Sequence, residues 1–421
     1  MVITLRGGLN RLFKYLPGKG QLARLNGSST PRFEVLDAWR GLSASLVALF
    51  HLQAYSHVYE LSLLRHSYLF VDFFFVLSGF VITANYREKL LSGFSFWQFM
   101  LLRFGRLYPL HFAILIAFIG LEVVRYRFDG LLGGVVGSKF YGPNSVEAIF
   151  TNIMLIQGLH VHDGLTWNMP SWSVSVEFYT YAIFGIVLLL LRNWIYFLII
   201  FVFVTAPFFL FVFVGHIDTQ YDFGIIRSVL GFFVGFVCYD FYMLIKQRNS
   251  LRTAILNSAE ILCVGLLVLF VCFCGDGPPS LAAPAVFGLV VLIFSFEGGF
   301  VSKILKARPF VFLGALSYSI YMMHMLVQLG MRYALQLAER KMGIVLFSEG
   351  RIGAEMWQGD LSYVVTLALV VGVSYLTYNL IEQPGRRQSR KFANATFATV
   401  EPSAPPLAEK CKRVATHATP L

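Results

Sequence analysis

The stretch YLFVDFFFVLSGF, from Tyr68 to Phe80, is apolar along almost its whole length, and five of its thirteen residues are phenylalanine. It nevertheless contains Asp72, and Ser78 follows six residues later. A carboxylate at membrane depth costs several kcal/mol, so an acid in a spanning helix indicates a functional group or an ion pair. The stretch therefore predicts a transmembrane helix whose acid has a specific role.

The composition of the whole chain favours the same environment. Of its 421 residues, 57% are hydrophobic and only 14% are charged. A soluble protein would carry roughly a quarter charged residues. The sequence therefore predicts an all-α integral membrane protein with a single transmembrane domain.

Ten segments are long and apolar enough to be read as transmembrane helices. The segments cover about 37–56, 68–86, 107–124, 172–191, 194–214, 223–244, 255–274, 281–297, 310–330 and 361–381. A shorter segment, 146–158, is expected to be embedded or interfacial. Most of the 34 lysines and arginines fall between these segments on one side, which by the positive-inside rule places both termini in the cytoplasm.

Three regions follow from this topology. Residues 1–34 form a basic cytoplasmic segment, residues 35–384 the transmembrane domain, and residues 385–421 a tail that we expect to be disordered. The net charge of +11 is explained by cytoplasmic loops, so we expect no nucleic-acid partner. The five cysteines form neither a disulfide framework nor a zinc pattern, and we expect no metal site and no permanently bound cofactor.

The first predicted helix carries three ionisable residues. Asp37 and Arg40 are three residues apart, and His51 is eleven residues beyond Arg40, which places them near one helix face. Arg40 and His51 are about 16 Å apart along the axis. A stripe of small residues lies between them, which would admit a neighbouring helix or a slender ligand: Gly41, Ala44 and Ala48.

Residue counting places several ionisable groups at one depth. In each case the residue lies about five residues inside the predicted outer end of its helix, or near that end. Five such residues from five helices favour a reaction or transport centre over a simple ion pair. The predicted outer layer contains His51, Asp72, Glu177, His324 and Arg227.

A second group of charges lies at the cytoplasmic ends of the helices. Arg103 and Arg106 are three residues apart, and together with Arg40 they would suit phosphate groups. Ordinary positive-inside anchoring explains the same spacing, so both interpretations stay open. Glu382 ends the last helix on this side, where a salt bridge to arginines of the tail is the alternative to a functional role.

Six pieces of the sequence, in order, resemble landmarks of acyltransferase family 3, the integral membrane O-acyltransferases of O-antigen and exopolysaccharide O-acetylase type. The resemblance covers about 33–384. Its first helix contains the spacing of Arg40 and His51, and phenylalanine replaces the more common glycine before Val71-Asp72. The six pieces are LDAWRGLSASLVALFH, FVDFFFVLSGFVI, RFGRLYPL, WSVSVEFY, LSYSIYMMH and IEQP.

The resemblance implies a cytosolic acyl-CoA donor, usually acetyl-CoA, and a carbohydrate acceptor at or beyond the membrane. It implies that His51 is catalytic and that Arg40, Arg103 and Arg106 bind the donor or support the structure. The remaining residues that we assign to donor binding or structure are Asp37, Ser78, Arg227 and Glu382. The resemblance also implies that the protein crosses the lipid bilayer of the cell membrane many times.

These expectations combine into a mechanism. His51 would act as general base on an acceptor hydroxyl, with Asp72 or Glu177 holding its imidazole. Arg227, His324 or a tyrosine would assist the oxyanion, and a transient acyl-histidine stays open. The phosphates of CoA would bind the cytoplasmic arginines, and its pantetheine arm would follow the small-residue stripe of the first helix.

Two other classes of protein fit part of the pattern. A transporter or proton-coupled permease also uses intramembrane histidine and carboxylate layers. Such proteins often contain broken helices in matching halves, which the sequence does not show. An unrelated membrane-bound O-acyltransferase with a buried histidine is the second alternative, and the order of the six landmarks disfavours it.

Overall fold

Long helices joined by short connections make up most of the described chain. The computed structural model describes residues 32–127, 142–247 and 253–397. The helices are α1 (Glu34–Phe50), α2 (Ser62–Arg65), α3 (Phe70–Leu91), α4 (Phe96–Arg127), α5 (Val146–Ile153), α6 (Ser171–Leu190), α7 (Ile195–Phe213), α8 (Gly224–Gln247), α9 (Thr253–Phe273), α10 (Ala283–Phe294), α11 (Phe300–Leu305), α12 (Arg308–Met342), α13 (Met356–Thr377) and α14 (Gln383–Phe397).

Shorter elements complete the fold. Strands β1 (Phe347–Ser348) and β2 (Arg351–Ile352) form an antiparallel hairpin between α12 and α13. The structure also contains 3₁₀ turns at Ser67–Leu69, Gly142–Asn144 and Pro278–Ala282, and a π turn at Tyr378–Glu382.

Each of the ten predicted segments corresponds to a helix. Among the described residues, eight helices are long and apolar enough to cross a membrane. The other two predicted segments correspond to α1, with 17 residues, and to the apolar stretch Pro278–Phe294. The all-α membrane fold is therefore confirmed, while the number of crossings stays a prediction. Segment 146–158 contains the 8-residue helix α5.

We predicted a disordered tail from residue 385 onwards, but the first part of this region is helical. Residues 383–397 form helix α14, which packs along α4, with Ser389 against Gly105 and Gly385 against Pro109. The sequence predicts that the last helix ends at Glu382, two residues before Pro384, which lacks a backbone donor. The π turn before it absorbs the interruption, so the helical path continues. Residues 398–421 lie outside the described ranges.

Helix α3, which contains the stretch Tyr68–Phe80, lies at the centre of the bundle. Its apolar window is 78% buried within the protein, against 22% for α7. Phe73, Phe75 and Phe80 are all at most 2% exposed. The phenylalanines of this stretch therefore pack against neighbouring helices, and lipid contact is left to peripheral helices such as α7.

Glycines allow two helix pairs to approach until their backbones touch. Gly79 of α3 lies against the backbone of Phe232 in α8, and Gly235 of α8 lies against Val76. Gly41 of α1 faces the backbone of Gly314 in α12. Small residues are the usual means of close helix packing in membranes, where lipid supplies no hydrophobic drive for association.

The small-residue stripe of α1 therefore faces a helix. A Cβ added at Gly41 would lie 2.5 Å from the Gly314 nitrogen, and the Ala48 carbonyl accepts a hydrogen bond of 2.6 Å from Gln328. Ala44 is fully buried. The sequence left open whether a neighbouring helix or a slender ligand packs against this stripe, and in the structure helix α12 does. Our expectation that a pantetheine arm follows the stripe is therefore wrong.

The α3–α8 contact gives a stability prediction. A Cβ at Gly79 would lie 1.9 Å from the Phe232 carbonyl oxygen, so Gly79→Ala must move one helix backbone. We expect Gly79→Ala to lower stability by about 1–3 kcal/mol, the usual cost of overpacking. Thermal unfolding in detergent, followed by size-exclusion fluorescence, measures the change.

Gly120→Ala is the matched control, because Gly120 is also helical but has nothing within 4 Å of an added Cβ. We expect it to melt at or slightly above the wild-type temperature, since alanine is the better helix former. Equal melting of both variants would contradict the close contact of α3 and α8.

Candidate active site

Two histidines, one at the end of α1 and one within α12, lie side by side in the bundle. His51 follows the last residue of α1, and His324 lies within α12. Their ring centroids are 4.9 Å apart. His324 is fully buried, whereas His51 is partly exposed. The pairing follows from the close packing of α1 on α12, which brings the two side chains together.

Backbone carbonyls determine the tautomer of both histidines. His51 Nδ1 lies 2.9 Å from the Val47 carbonyl oxygen, and His324 Nδ1 lies 2.7 Å from the Tyr321 carbonyl oxygen. Because a carbonyl only accepts, each Nδ1 carries the hydrogen in the neutral ring, and each Nε2 keeps a lone pair. Within the described part of the chain, His324 Nε2 is buried without a hydrogen-bond partner.

Asp72 is paired with Arg227 rather than with His51. The Arg227 Nε and Nη2 atoms donate to the two Asp72 carboxylate oxygens at 3.0 and 2.8 Å. Asp72 is fully buried. The acid in the apolar stretch thus balances a buried guanidinium, which is the arrangement that makes both charges tolerable at this depth.

All the donors of Arg227 are used. Besides the two bonds to Asp72, Nη1 donates to Asp218 and to the Thr219 carbonyl, each at 3.2 Å, and Nη2 donates to the Tyr68 carbonyl at 3.4 Å. Five bonds account for the five N–H groups of a guanidinium. In this conformation Arg227 has no donor left for an oxyanion, contrary to the role that we considered for it.

Glu177 lies deeper than the outer layer in which residue counting placed it. It accepts hydrogen bonds from Ser78 and Tyr181, and Ser78 is six residues beyond Asp72, about 9 Å along α3. Glu177 also interacts electrostatically with Arg40 and Arg106. The structure therefore places Glu177 towards the arginines.

The arginine group gathers side chains from three helices. Arg40 of α1 lies 3.5 Å from Asp37 and interacts electrostatically with Arg106 of α4. Arg386 of α14 also interacts with Arg106. Arg386 was missed by sequence reasoning, because it lies in the segment that was expected to be disordered.

Glu382 and Arg103 have defined partners in this region. Glu382 accepts a hydrogen bond from Ser319 at 2.8 Å and lies 3.6 Å from Arg386, as in the salt bridge that the sequence left open. Arg103 donates to the Tyr86 hydroxyl at 2.8 Å. Arg103 is therefore engaged with α3, whereas no hydrogen bond is formed by Arg106 within the described ranges.

Asp218 is an acid near His51 that sequence reasoning missed. It lies in the connection between α7 and α8, accepts a hydrogen bond from Arg227 and interacts electrostatically with His51. Its side chain is 35% exposed, against 0% for that of Asp72. Asp218 lies outside the apolar segments, in the polar run HIDTQYD before α8, and this run is the sequence signal that indicates a polar opening.

The predicted site therefore divides into two parts. The histidine pair lies at one end of α1. The Asp72–Arg227–Asp218 group is linked to it by the electrostatic interaction of Asp218 with His51. The arginine group lies towards the other end, with Glu177 joined to it. Since Arg40 and His51 are eleven residues apart, the two parts are separated by about 16 Å.

Comparison with known proteins places this arrangement in a family. A family model described as "Acyltransferase domain" matches residues 33–379, which is most of the chain. Peptidoglycan O-acetyltransferase OatA from Listeria monocytogenes is 25% identical over 319 residues, covering 69% of this chain and 48% of that protein. The chain thus spans about half the length of that relative. No solved structure matches the chain.

Two further relatives are matched over shorter regions. Protein 2 in picA locus from Rhizobium radiobacter is 39% identical over 167 residues, covering 38% of this chain and 85% of that protein. Acyltransferase MdmB from Streptomyces mycarofaciens is 32% identical over 126 residues, covering 29% of each chain. The family match, the apolar helices and the order of the sequence landmarks agree, and the chain belongs to the acyltransferase 3 family of multi-pass membrane proteins.

Proposed function

We propose that the protein transfers an acyl group, in the first instance acetyl, from cytosolic acyl-CoA to a carbohydrate hydroxyl on the opposite side of the membrane. The observation that carries this proposal is the separation of two complementary groups along α1. One end holds a partly exposed histidine with a free Nε2 lone pair, and the other holds clustered arginines. An extended CoA is long enough to reach between them, by a route other than the small-residue stripe of α1, which α12 fills.

His51 is the general base in this proposal. Its Nε2 removes the proton from the acceptor hydroxyl as the hydroxyl oxygen bonds to the acyl carbonyl carbon. The carbon–sulfur bond of the thioester then breaks, and the leaving thiolate takes the proton from the imidazolium. The Val47 carbonyl holds Nδ1–H, which is the orienting role that we expected of Asp72 or Glu177.

Asp218 and His324 lie close enough to His51 to interact with the imidazolium that forms during transfer. The partly exposed carboxylate of Asp218 interacts electrostatically with the ring and accepts a hydrogen bond from Arg227. The Nε2 lone pair of His324 is buried beside it and is available to accept a hydrogen bond. In this proposal Asp72 and Arg227 hold Asp218 in position, and His324 stabilises the imidazolium.

The donor phosphates bind the arginine group in this account. Arg40, Arg106 and Arg386 supply positive charge in a setting where Asp37, Glu177 and Glu382 prevent excessive repulsion. Arginine suits phosphate because its planar fork makes paired hydrogen bonds. The bacterial relatives favour a bacterial cytoplasmic membrane as the location, with the arginine end facing the cytoplasm.

The arginines are predicted to contribute unequally to donor binding. We expect Arg106→Gln to weaken acetyl-CoA binding by about tenfold, the effect of one charge-assisted contact. We expect Arg103→Gln to have a smaller effect, because Arg103 is already bonded to Tyr86. Titration calorimetry on purified protein measures both, and exposed Arg192→Gln is the control. A larger loss for Arg103→Gln would contradict the assignment.

A labelled donor tests the function itself. Membranes that contain the protein are incubated with acetyl-CoA carrying a radiolabelled acetyl group, and the label in the carbohydrate fraction is measured. The proposal predicts alkali-labile label that depends on the protein. Movement of a solute that needs no CoA, with no label in carbohydrate, would assign the protein to the transporter class instead.

A further inference from the structure

Arginine and aromatic side chains lead from His51 to the protein surface. Phe50, whose ring is 4.9 Å from that of His51, lies 5.7 Å from the guanidinium of Arg65. Arg65 lies 4.4 Å from the ring centre of Tyr59, and Arg351 lies 4.8 Å from the same ring. We call these four residues, Phe50, Arg65, Tyr59 and Arg351, the arginine–aromatic ladder.

Main-chain bonds hold the outer end of the ladder in place. The Ile352 nitrogen, next to Arg351, donates to the Gln53 carbonyl at 3.0 Å, and the Tyr55 nitrogen donates to the Ile352 carbonyl at 2.8 Å. The β1–β2 hairpin is thereby joined to the segment that directly follows His51. The arginine is thus positioned by the same piece of chain that carries the proposed base.

The ladder holds positive charge with little compensation. Two guanidinium groups share one tyrosine ring, so their charges repel each other. Among the described residues, the carboxylate contact of the ladder is Glu60, 4.0 Å from Arg351 and 67% exposed. Arg65 is exposed and forms no ion pair within those ranges. An anion bound here would relieve the repulsion, and guanidinium groups bind carboxylate and phosphate through paired hydrogen bonds.

We propose that the arginine–aromatic ladder binds the acceptor and that the acceptor is an acidic carbohydrate, carrying carboxylate or phosphate groups near the hydroxyl that is acylated. This inference rests on the proposed function, because the reaction at His51 requires a molecule with hydroxyl groups. The ladder begins at that histidine and adds the requirement for negative charge. Phe50, which lies between His51 and Arg65, offers an apolar ring suited to packing against the carbon face of a sugar.

Binding measured without an acyl donor tests this proposal. Purified protein in neutral detergent is titrated with a fluorescent galacturonate pentamer and with a galactose pentamer of the same length. We expect the acidic pentamer to bind about tenfold more tightly, as two exposed ion pairs allow. We expect this preference to disappear in about 0.5 M salt, where exposed charges are screened.

Variants locate the binding. Arg65→Gln and Arg351→Gln should each remove most of the preference, while Arg65→Lys should keep part of it and Arg192→Gln all of it. Both ladder arginines are partly or fully exposed, so unchanged size-exclusion profiles are expected. Equal binding of the two pentamers, no binding of either, or a preference that survives both glutamine variants would overturn the proposal.

Three further measurements separate this proposal from its alternatives. Loss of the preference when phosphatidylglycerol is added to the detergent would assign the ladder to anionic lipid and overturn the proposal. His57→Ala should bind the acidic pentamer as wild type does, because His57 is exposed, bonds Asp360 and lies outside the ladder. If wild type binds the pentamer but transfers no acetyl group in any assay, the proposed function fails while the binding site stands.

Discussion

Replacing His51 with alanine is expected to lower acetyl transfer by about a thousandfold, which lies within the usual range for loss of a general base. The reason is local: the Val47 carbonyl fixes the hydrogen on Nδ1, so Nε2 is the basic atom that the partly exposed ring offers. Acetyl-CoA binding should be unchanged, because the arginine group lies about 16 Å away along α1. Transfer of radiolabel to carbohydrate measures the effect.

His57→Ala is the matched control for this substitution. His57 lies six residues from His51 and is exposed, with its ring nitrogen bonded to Asp360 at 2.9 Å. We expect it to keep close to wild-type transfer. Near-normal transfer by His51→Ala would exclude His51 as the base, and weaker acetyl-CoA binding by that variant would show that it perturbs more than the chemistry.

The buried pair of Asp72 and Arg227 should have the largest effect on stability. Replacing Asp72 with alanine leaves a fully buried guanidinium without its principal partner. Removing one member of a buried pair costs about 3–5 kcal/mol, which is a large part of the total stability of a protein. We therefore expect Asp72→Ala to give little folded protein, as judged by size-exclusion fluorescence.

A double variant separates the pair from its surroundings. Asp72→Leu combined with Arg227→Met removes both charges and keeps apolar volume, and such replacements are often neutral or stabilising. We expect it to recover much of the folded protein but little of the activity, because Asp218 then loses its bond to Arg227. Full folding of the single Asp72→Ala variant would contradict a structural role for the pair.

The helices were predictable from sequence because hydrophobic segments of spanning length are a local signal. The apolar character of α3 and the periodicity of α1 needed no knowledge of their neighbours. The histidine pair was partly predictable, since His51 and His324 were placed at one depth by counting residues. Their direct contact depends on backbone packing at Gly41 and Gly314, residues that are far apart in the sequence.

The partners of the charged residues were not predictable in the same way. Glu177 was placed too close to the outer end, because counting from a segment boundary ignores where each helix lies along its neighbours. Asp72 was predicted as a possible hydrogen-bond partner of His51, but Arg227 donates two hydrogen bonds to its carboxylate. Asp218 and Arg386 were missed because a loop and a supposed tail were excluded from the search for buried charges.

The most direct test of the account is a transfer assay with defined sides. Proteoliposomes are sorted by orientation with a cysteine introduced at exposed Arg387, next to the arginine group. Radiolabelled acetyl-CoA is then supplied on one side and an acidic oligosaccharide on the other. The account predicts transfer only when acetyl-CoA is on the Arg387 side, and none for His51→Ala. Equal transfer from both sides, or transfer only from the His51 side, would contradict it.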